Sequence, residues 1–349
     1  MKNKITVIMI ARNRESWRIE DQVNSVRNNG ENPSFLLVDY GSAKEFSDEY
    51  VAVCDKLEIE YFKVFSDGLP WSRTHALNCG VKKAQTPFVI ASDIDMVYEG
   101  KPFTWCLDNV TERDFIQFNA YWIPRNKNRK KSKSAGHGSQ GIQFILKSAY
   151  EDIGGYDEGI KFWGSEDIDW SSRLKKAGYT QIWMPENYKT YHQWHPKENA
   201  ANWKRPVTAT QNTLKRLYEN TFEPKINQEW GNPILKEDRP ILEKLETEKP
   251  VEVVFKADEI NYFGAAEKII NTQKNGFVKL MLGSRIKSLS VKILKEVVKS
   301  VLKPSSTYQP RLNTNFDSLY ELLPLLKEHG LRDYFIEDDF SAVYLLWNE

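Results

Sequence analysis

The strongest constraint on the fold is the alternation of short apolar runs with helix-patterned stretches across the N-terminal part of the chain. Ile5–Ile10, interrupted only by Thr6, and Phe35–Val38 and Phe88–Ala91 are short apolar runs, closed by polar or glycine-containing turns. Runs this short read as strands buried on both faces. Between them, residues 15–28 place Trp17, Val23 and Val26 toward one side and end in Asn28-Asn29-Gly30. A helix around 44–54, a strand near 58–64 and a helix at 73–84 follow, so the order is β-α-β-α-β-α-β. That order predicts an α/β domain with a mostly parallel sheet and helices on both faces. Ligands in such sheets bind outside the carboxyl ends of the strands. The loops at 11–14, 39–42 and 93–95 all fall on that rim.

Further along, residues 124–139 are rich in Arg, Lys, Ser and Gly and read as a loop. A strand is expected at 142–147, a turn at Gly154-Gly155, and a helix from Glu166 to Lys176 stopped by Gly178. Beyond about residue 200 the sequence turns charged and helix-rich, with prolines at 206, 224, 233, 240 and 250. The expected division is a first domain at 1–225, a linker at 226–250 and a small α+β module at 251–349, with strand-like runs at Val251–Phe255 and Ala342–Trp347. A formal net charge of +1 argues against a nucleic-acid binder. Cys54, Cys79 and Cys106 are few and unclustered, and read as free thiols in a reducing compartment. No apolar run is long enough for a transmembrane span and no signal peptide is evident. The expectation is a cytoplasmic protein, with peripheral membrane association left open.

Asp93-Ile94-Asp95 closes the third apolar run. Carboxylates two apart on an extended segment point the same way. Two hard oxygen donors suit a divalent cation, which can bridge a diphosphate. His192-Gln193-Trp194-His195 follows the strand-like Gln181–Met184. A neutral imidazole added to carboxylates suits Mn²⁺ better than Mg²⁺, with His192 the first choice and His195 the reserve. In Ala11-Arg12-Asn13-Arg14 the two arginines can fork onto a diphosphate or ribose, or can simply be a surface pair opening a helix. Trp71 in Trp71-Ser72-Arg73 can stack on a base while Arg73 reaches a phosphate, or it can plug a loop over the core. Trp163-Gly164-Ser165-Glu166-Asp167 opens a helix, and capping by Ser165 with acids in the first turn is a complete structural explanation. The functional alternative is a carboxylate kept ionised as a general base, with Trp163 walling off a sugar ring. Arg125–Lys131 reads as a solvated basic loop, or as a lid over an anionic donor.

With these motifs together, the first 200 or so positions resemble GT-A glycosyltransferases, most closely the β-1,4-galactosyltransferase-like and chondroitin-polymerase-like groups and the wider family 2. The resemblance implies a GT-A fold in which Ala11, Arg12, Arg14, Asp39, Trp71, Arg73, Asp93, Ile94, Trp163, Gly164 and Glu166 bind substrate. It implies Asp167 as the catalytic base of an inverting reaction, and Asp93, Asp95 and His192 around the metal. Trp71 with Asn78 and Gly80 falls on the family's aromatic-x-Arg…Asn-x-Gly segment. His192-Gln193 with Pro196-Lys197-Glu198-Asn199 is similar to the H-Q…P-x-K-E-N element. The chain departs from the pattern at Tyr40, where family 2 usually carries a second Asp, and at Ser165, which replaces a Gly. The implied activity is transfer of a hexose or N-acetylhexosamine from a UDP-sugar to a glycan acceptor, with Mn²⁺, or Mg²⁺ in its place. A sugar-nucleotide nucleotidyltransferase is the second enzyme reading. It needs a glycine-rich loop after the first strand, and Ala11–Arg14 has no glycine. A catalytically silent carbohydrate-binding protein is the non-enzyme reading, and UDP release separates it from the first.

Overall fold

The computed structural model describes residues 1–125, 129–136, 141–160, 166–195, 229–255, 269, 271–273, 276–282, 323, 326–337 and 341–348. The described residues up to Leu235 belong to one compact unit and those from Lys236 to a second.

The first unit is built on a seven-stranded sheet. Its strands are β1 (Ile5–Ala11), β2 (Ser34–Tyr40), β3 (Glu60–Val64), β4 (Phe88–Asp93), β6 (Asp114–Gln117), β9 (Gln143–Leu146) and β10 (Thr180–Trp183). They lie in the order β10-β6-β9-β4-β1-β2-β3. Neighbours run parallel except at β9, which is antiparallel to both β4 and β6. Central β1 shows why these runs are apolar on both faces. Ile5, Val7 and Met9 enter one core while Ile8 and Ile10 enter the other, and all are buried.

The first core is covered by α1 (Trp17–Asn28), α2 (Lys44–Leu57) and α4 (Pro102–Asn109). In α1, Ile19, Val23 and Val26 recur at helical spacing and are fully buried. The second core is covered by α3 (Arg73–Lys83), α5 (Ser148–Ile153) and α6 (Glu166–Lys176). Helix α3 lies so close to the sheet that a Cβ on Gly80 would sit 2.4 Å from Ile8 Cγ2. The glycine is therefore a packing requirement. Helix α6 has the bounds the sequence predicts, with Glu166, Asp167 and Asp169 in its first turn and Arg173, Lys175 and Lys176 in its last. That arrangement complements the helix dipole. Asp169 is committed to Arg173 at 2.9 Å, both side chains being buried.

A second, smaller sheet does not appear in the sequence reading. It comprises β5 (Met96–Glu99), β7 (Ala120–Trp122), β8 (Lys133–Ser134) and β11 (Lys189–His192), in the order β5-β11-β7-β8. Val97, Ile123 and Tyr191 form a small core on one of its faces.

Residues 229–250 of the expected linker are described, and some of them pack. Trp230 is buried and stacks near Tyr150, with Lys82 over its ring at 4.0 Å. Ile234 accepts a backbone hydrogen bond from Phe65. An indole that can bury does not stay in a solvated linker. Pro240–Thr247 is a helix, α7, of the second unit, where Arg239 pairs with Asp333 and Ile241 packs on Phe277 and Leu346. That unit carries β12 (Val251–Phe255), β13 (Phe277–Leu282), β14 (Leu331–Ile336) and β15 (Ala342–Trp347), in the order β12-β13-β15-β14. Among the described residues, no helix is long and apolar enough to cross a membrane.

Candidate functional site

Strand β4 ends at Asp93, and residues 94–95 form the turn into β5. The extended geometry expected to align both carboxylates is therefore broken. Ile94 turns into the core, 3% exposed. Asp93 Oδ1 accepts from Arg73 Nε at 3.1 Å. Asp95 instead meets the histidines, because β11 pairs antiparallel with β5 and puts His192 opposite Met96. The ladder continues with Gln193 N donating to Asp95 O at 2.9 Å. His192 Nε2 and His195 Nε2 lie 3.6 and 3.5 Å from Asp95 Oδ2. Asp95, His192 and His195 offer ligand atoms all within 4.8 Å of one another. The reserve histidine thus joins the first choice, and Asp93 stands outside this trio.

Three buried polar atoms here have no hydrogen-bond partner: Asp95 Oδ1, His192 Nδ1 and Arg73 Nη1. Unmatched buried atoms are costly, so each needs a reason. Others occur in the core at Trp170 and Ser171. Unmatched charged atoms also occur at Glu31 and Arg173; here an imidazole joins a carboxylate and a guanidinium, a set that a cation with an anionic ligand would satisfy. Two imidazoles and a carboxylate suit a divalent transition metal better than Mg²⁺ or Ca²⁺, which prefer all-oxygen sets.

Arg73 opens α3, whose N-cap Ser72 accepts from the His75 amide. Its Nη2 donates to Gly141 O at 2.7 Å. Burial alone would lower its pKa. The charges of Asp93 and Glu166 more than offset this, so it is raised and the guanidinium stays charged. Glu166 is buried at the start of α6. Asp167, beside it, is half-buried and its Oδ1 accepts from the Ile168 amide at 2.8 Å. Both acids act electrostatically on Tyr156, whose hydroxyl, raised chiefly by burial, donates to Gln143. Trp163, Gly164, Ser165 and Pro196–Asn199 lie outside the described residues.

The rim after β1 and β2 is locked by the chain itself. Asn13 adopts φ 50°; its Oδ1 accepts from the Ala43 amide at 2.8 Å, and its own amide donates to Ser42 Oγ at 3.1 Å. Asp39 is fully buried. It accepts from the Ser42 amide at 2.9 Å, Ser47 Oγ at 2.6 Å and the Tyr61 hydroxyl at 2.7 Å. Arg12 Nη1 donates to Leu69 O, and the backbone of Arg14 exchanges hydrogen bonds with the Tyr50 hydroxyl. Ala11 is a buried strand end. Trp71 is half-buried, its ring edge-on to Tyr40 at 5.5 Å. Tyr40 in turn bonds His75 Nδ1 at 2.9 Å. Asn78 anchors the 156–158 segment through Tyr156 and Glu158, so the Asn-x-Gly part of that motif is structural.

The sequence reading missed the polar residues that α1 buries. Gln22, with its amide oriented to donate to the carbonyls of Asp93 and Ile94 at 3.0 and 3.1 Å, holds the turn that presents Asp95. Gln193 donates to Asp21 at 2.7 Å and accepts from Arg18 at 3.4 Å, which fixes the segment between the two histidines. The signal was present: Arg18 and Gln22 sit one turn apart on the same side as Ile19 and Val23. Trp122 was also missed. It is 48% exposed and its ring centroid lies 4.2 Å from that of His192.

Residues 124–196 match a family model described as the N-terminal domain of galactosyltransferase. That span includes Glu166, Asp167, His192 and His195. No curated protein matches the chain. Among solved structures, the chain is similar to GalNAc-T7 with UDP, GalNAc and Mn²⁺, at 15% identity and a TM-score of 0.43, over 56% of this chain and 44% of that one. It is also similar to the catalytic domain of Drosophila β1,4-galactosyltransferase 7 in complex with xylobiose, at 12% identity and a TM-score of 0.36, over 53% of this chain and 66% of that one. The chain spans less than two thirds of the length of either structure.

Proposed function

We propose that this chain is a glycosyltransferase of the GT-A group, and that it transfers a hexose or N-acetylhexosamine from a UDP-sugar to a glycan acceptor, with inversion and with a divalent metal bound. The observation that carries the reading is the convergence of Asp95, His192 and His195, with unmatched buried atoms, next to the Arg73–Asp93 pair. Mn²⁺ held by these three residues would supply positive charge to the departing diphosphate. The chain's own residues do the rest. Arg73, kept charged and with one buried N–H unmatched, is placed to donate to an anionic donor. Trp71, its ring set perpendicular to that of Tyr40, stacks on the base. Asp167, in the first turn of α6, takes the proton of the acceptor hydroxyl. Glu166, closer in charge to Arg73, holds sugar hydroxyls.

The test is UDP release from UDP-Gal, UDP-GalNAc and UDP-GlcNAc, first with Mn²⁺ and then with EDTA. Release that depends on the donor sugar and stops with EDTA is the expected result. Tight UDP binding with no release from any donor would return the chain to the silent carbohydrate-binding reading.

A further inference from the structure

Residues 229–235 belong to the first unit and lie against α3. The indole of Trp230 is buried near Tyr150, under the Lys82 ammonium. The Gly231 amide donates to Glu158 Oε1 at 2.7 Å. At φ 68° its backbone passes so near the helix that a Cβ would lie 2.8 Å from Asn78 O. Held in this way, the segment offers two carbonyls to the neighbouring chain. Ile234 O accepts from the Phe65 amide at 2.9 Å, and Asn232 O lies 2.8 Å from His75 Nε2. Phe65 is the first residue after β3, and His75 is in the first turn of α3. The two bonds therefore fasten both ends of loop 65–72, in which Trp71 immediately precedes the N-cap Ser72.

His75 is a buried titratable group with no part in the transfer chemistry. A carbonyl oxygen only accepts, so Nε2 carries the proton. In the neutral ring Nδ1 is then an acceptor, and the Tyr40 hydroxyl, 2.9 Å away, donates to it. Tyr40 is 2% exposed. Its ring stands at 86° to that of Trp71 and at 88° to that of His75. One rigid ring with a donor on one edge and an acceptor on the other thus links the backbone of 229–235 to the neighbour of Trp71. We propose that His75 is a positioning residue for the nucleotide base, acting through Tyr40 on Trp71, and that residues 229–235 are the strap that holds it. The role rests on the reading of Trp71 as the base platform. An aromatic ring fixed before its ligand arrives loses less freedom on binding, and affinity rises accordingly.

The experiment uses the full chain and measures UDP binding by calorimetry with Mn²⁺ present. Tyr40→Phe removes the hydroxyl, and His75→Asn is too short to reach Asn232, so each cuts one link. Each should weaken UDP binding about fivefold, the scale of one net hydrogen bond. In a Trp71→Ala background the same substitutions should change it by less than about twofold, because a group that acts through Trp71 then has nothing to place. Hydrogen exchange of the amides of 65–72 should quicken in His75→Asn, and the Mn²⁺ concentration for half-maximal UDP release should not move. A fivefold loss in both backgrounds would mean that His75 acts elsewhere, through Arg73 or α3 as a whole, and overturns the proposal. So does unchanged UDP affinity in both variants, or unchanged exchange at 65–72. If His75→Asn does not fold, Tyr40→Phe, which keeps the ring, decides by the same readings. Failure of the underlying reading has its own mark: Trp71→Ala alone then leaves UDP affinity unchanged, and the positioning role falls with it.

Discussion

Two carboxylates near the carboxyl ends of adjoining parts of the sheet, Asp39 and Asp95, have nearly the same burial and opposite states. Asp39 is fully buried and receives hydrogen bonds from Ser42, Ser47 and Tyr61. Asp95 is 7% exposed, has one oxygen unmatched, and faces two imidazoles at distances too long for hydrogen bonds. The first region spends its carboxylate on holding a loop. The second leaves one oxygen unmatched beside two histidines. Burial is nearly the same for the two acids, whereas the hydrogen bonds already made differ.

The largest effect should come from Asp95→Asn. It should reduce Mn²⁺-stimulated UDP release to the level seen with EDTA and abolish the rise in Tm that Mn²⁺ gives the wild type by mass action. Retention of both would place the metal elsewhere and end the contrast with Asp39. Next is Asp167→Asn, which keeps shape and much of the hydrogen bonding. General-base catalysis typically contributes about 10²–10⁴-fold, so kcat should fall by that order while UDP affinity survives. A near-normal kcat would leave the acids of α6 as caps of a helix and nothing more.

That helix also shows how much was legible in the sequence. Its bounds follow from acids, a Lys pair and Gly178, all local signals, as do the buried runs of β1, β2 and β4. The Asp95–His192–His195 trio is not local. Its geometry depends on β5 and β11, four residues each and 90 or so apart in sequence, and on a turn at Ile94 that a strand reading takes as straight. Asp93 and Asp95 were read as one unit because alternation is a property of an unbroken strand. Once the strand stops at Asp93, the pair separates, one acid to Arg73 and one to the histidines. Asn78 and Gly80 are a second instance. Both are specified by contacts more than 70 residues away, to Tyr156 and Ile8. No local pattern distinguishes that from ligand binding.

Asp39→Asn should act on stability. The amide nitrogen would face the hydroxyl donors of Ser47 or Tyr61, and an unmatched buried group costs about 1–3 kcal/mol. Thermal unfolding should show the lower Tm, with UDP affinity of the folded protein retained. Lost UDP affinity at an unchanged Tm would make Asp39 a donor ligand and erase the contrast from the other side. Trp71→Ala should leave the fold intact and weaken UDP binding by about 1–3 kcal/mol, the usual worth of stacking on one base. Calorimetry with Mn²⁺ present measures it directly, and unchanged affinity removes Trp71 from the site.

The smallest effect belongs to Glu31, which lies between the two cases. Its Oε1 accepts from the Thr104 amide and hydroxyl near the start of α4, while Oε2 is buried and unmatched. It resembles Asp95 in the orphan oxygen, but no histidine or second acid joins it in a metal-binding cluster among the described residues. Burial raises its pKa, and the hydrogen bonds from Thr104 offset only part of that. The folded state therefore holds the proton more tightly than the unfolded chain, where Glu titrates near about 4.3. Stability from this group is complete below that value and is lost as pH rises through the folded pKa. Glu31→Gln does not titrate there. Its Tm relative to the wild type should thus be more favourable at pH 7 than at pH 4, with no change in the response to Mn²⁺. A flat difference across that range would mean that the charge of Glu31 is fully compensated by Thr104 and the helix N-terminus. A lost Mn²⁺ response would show that an orphan oxygen alone is enough to mark a metal ligand, and Asp95 would lose the distinction its histidines give it.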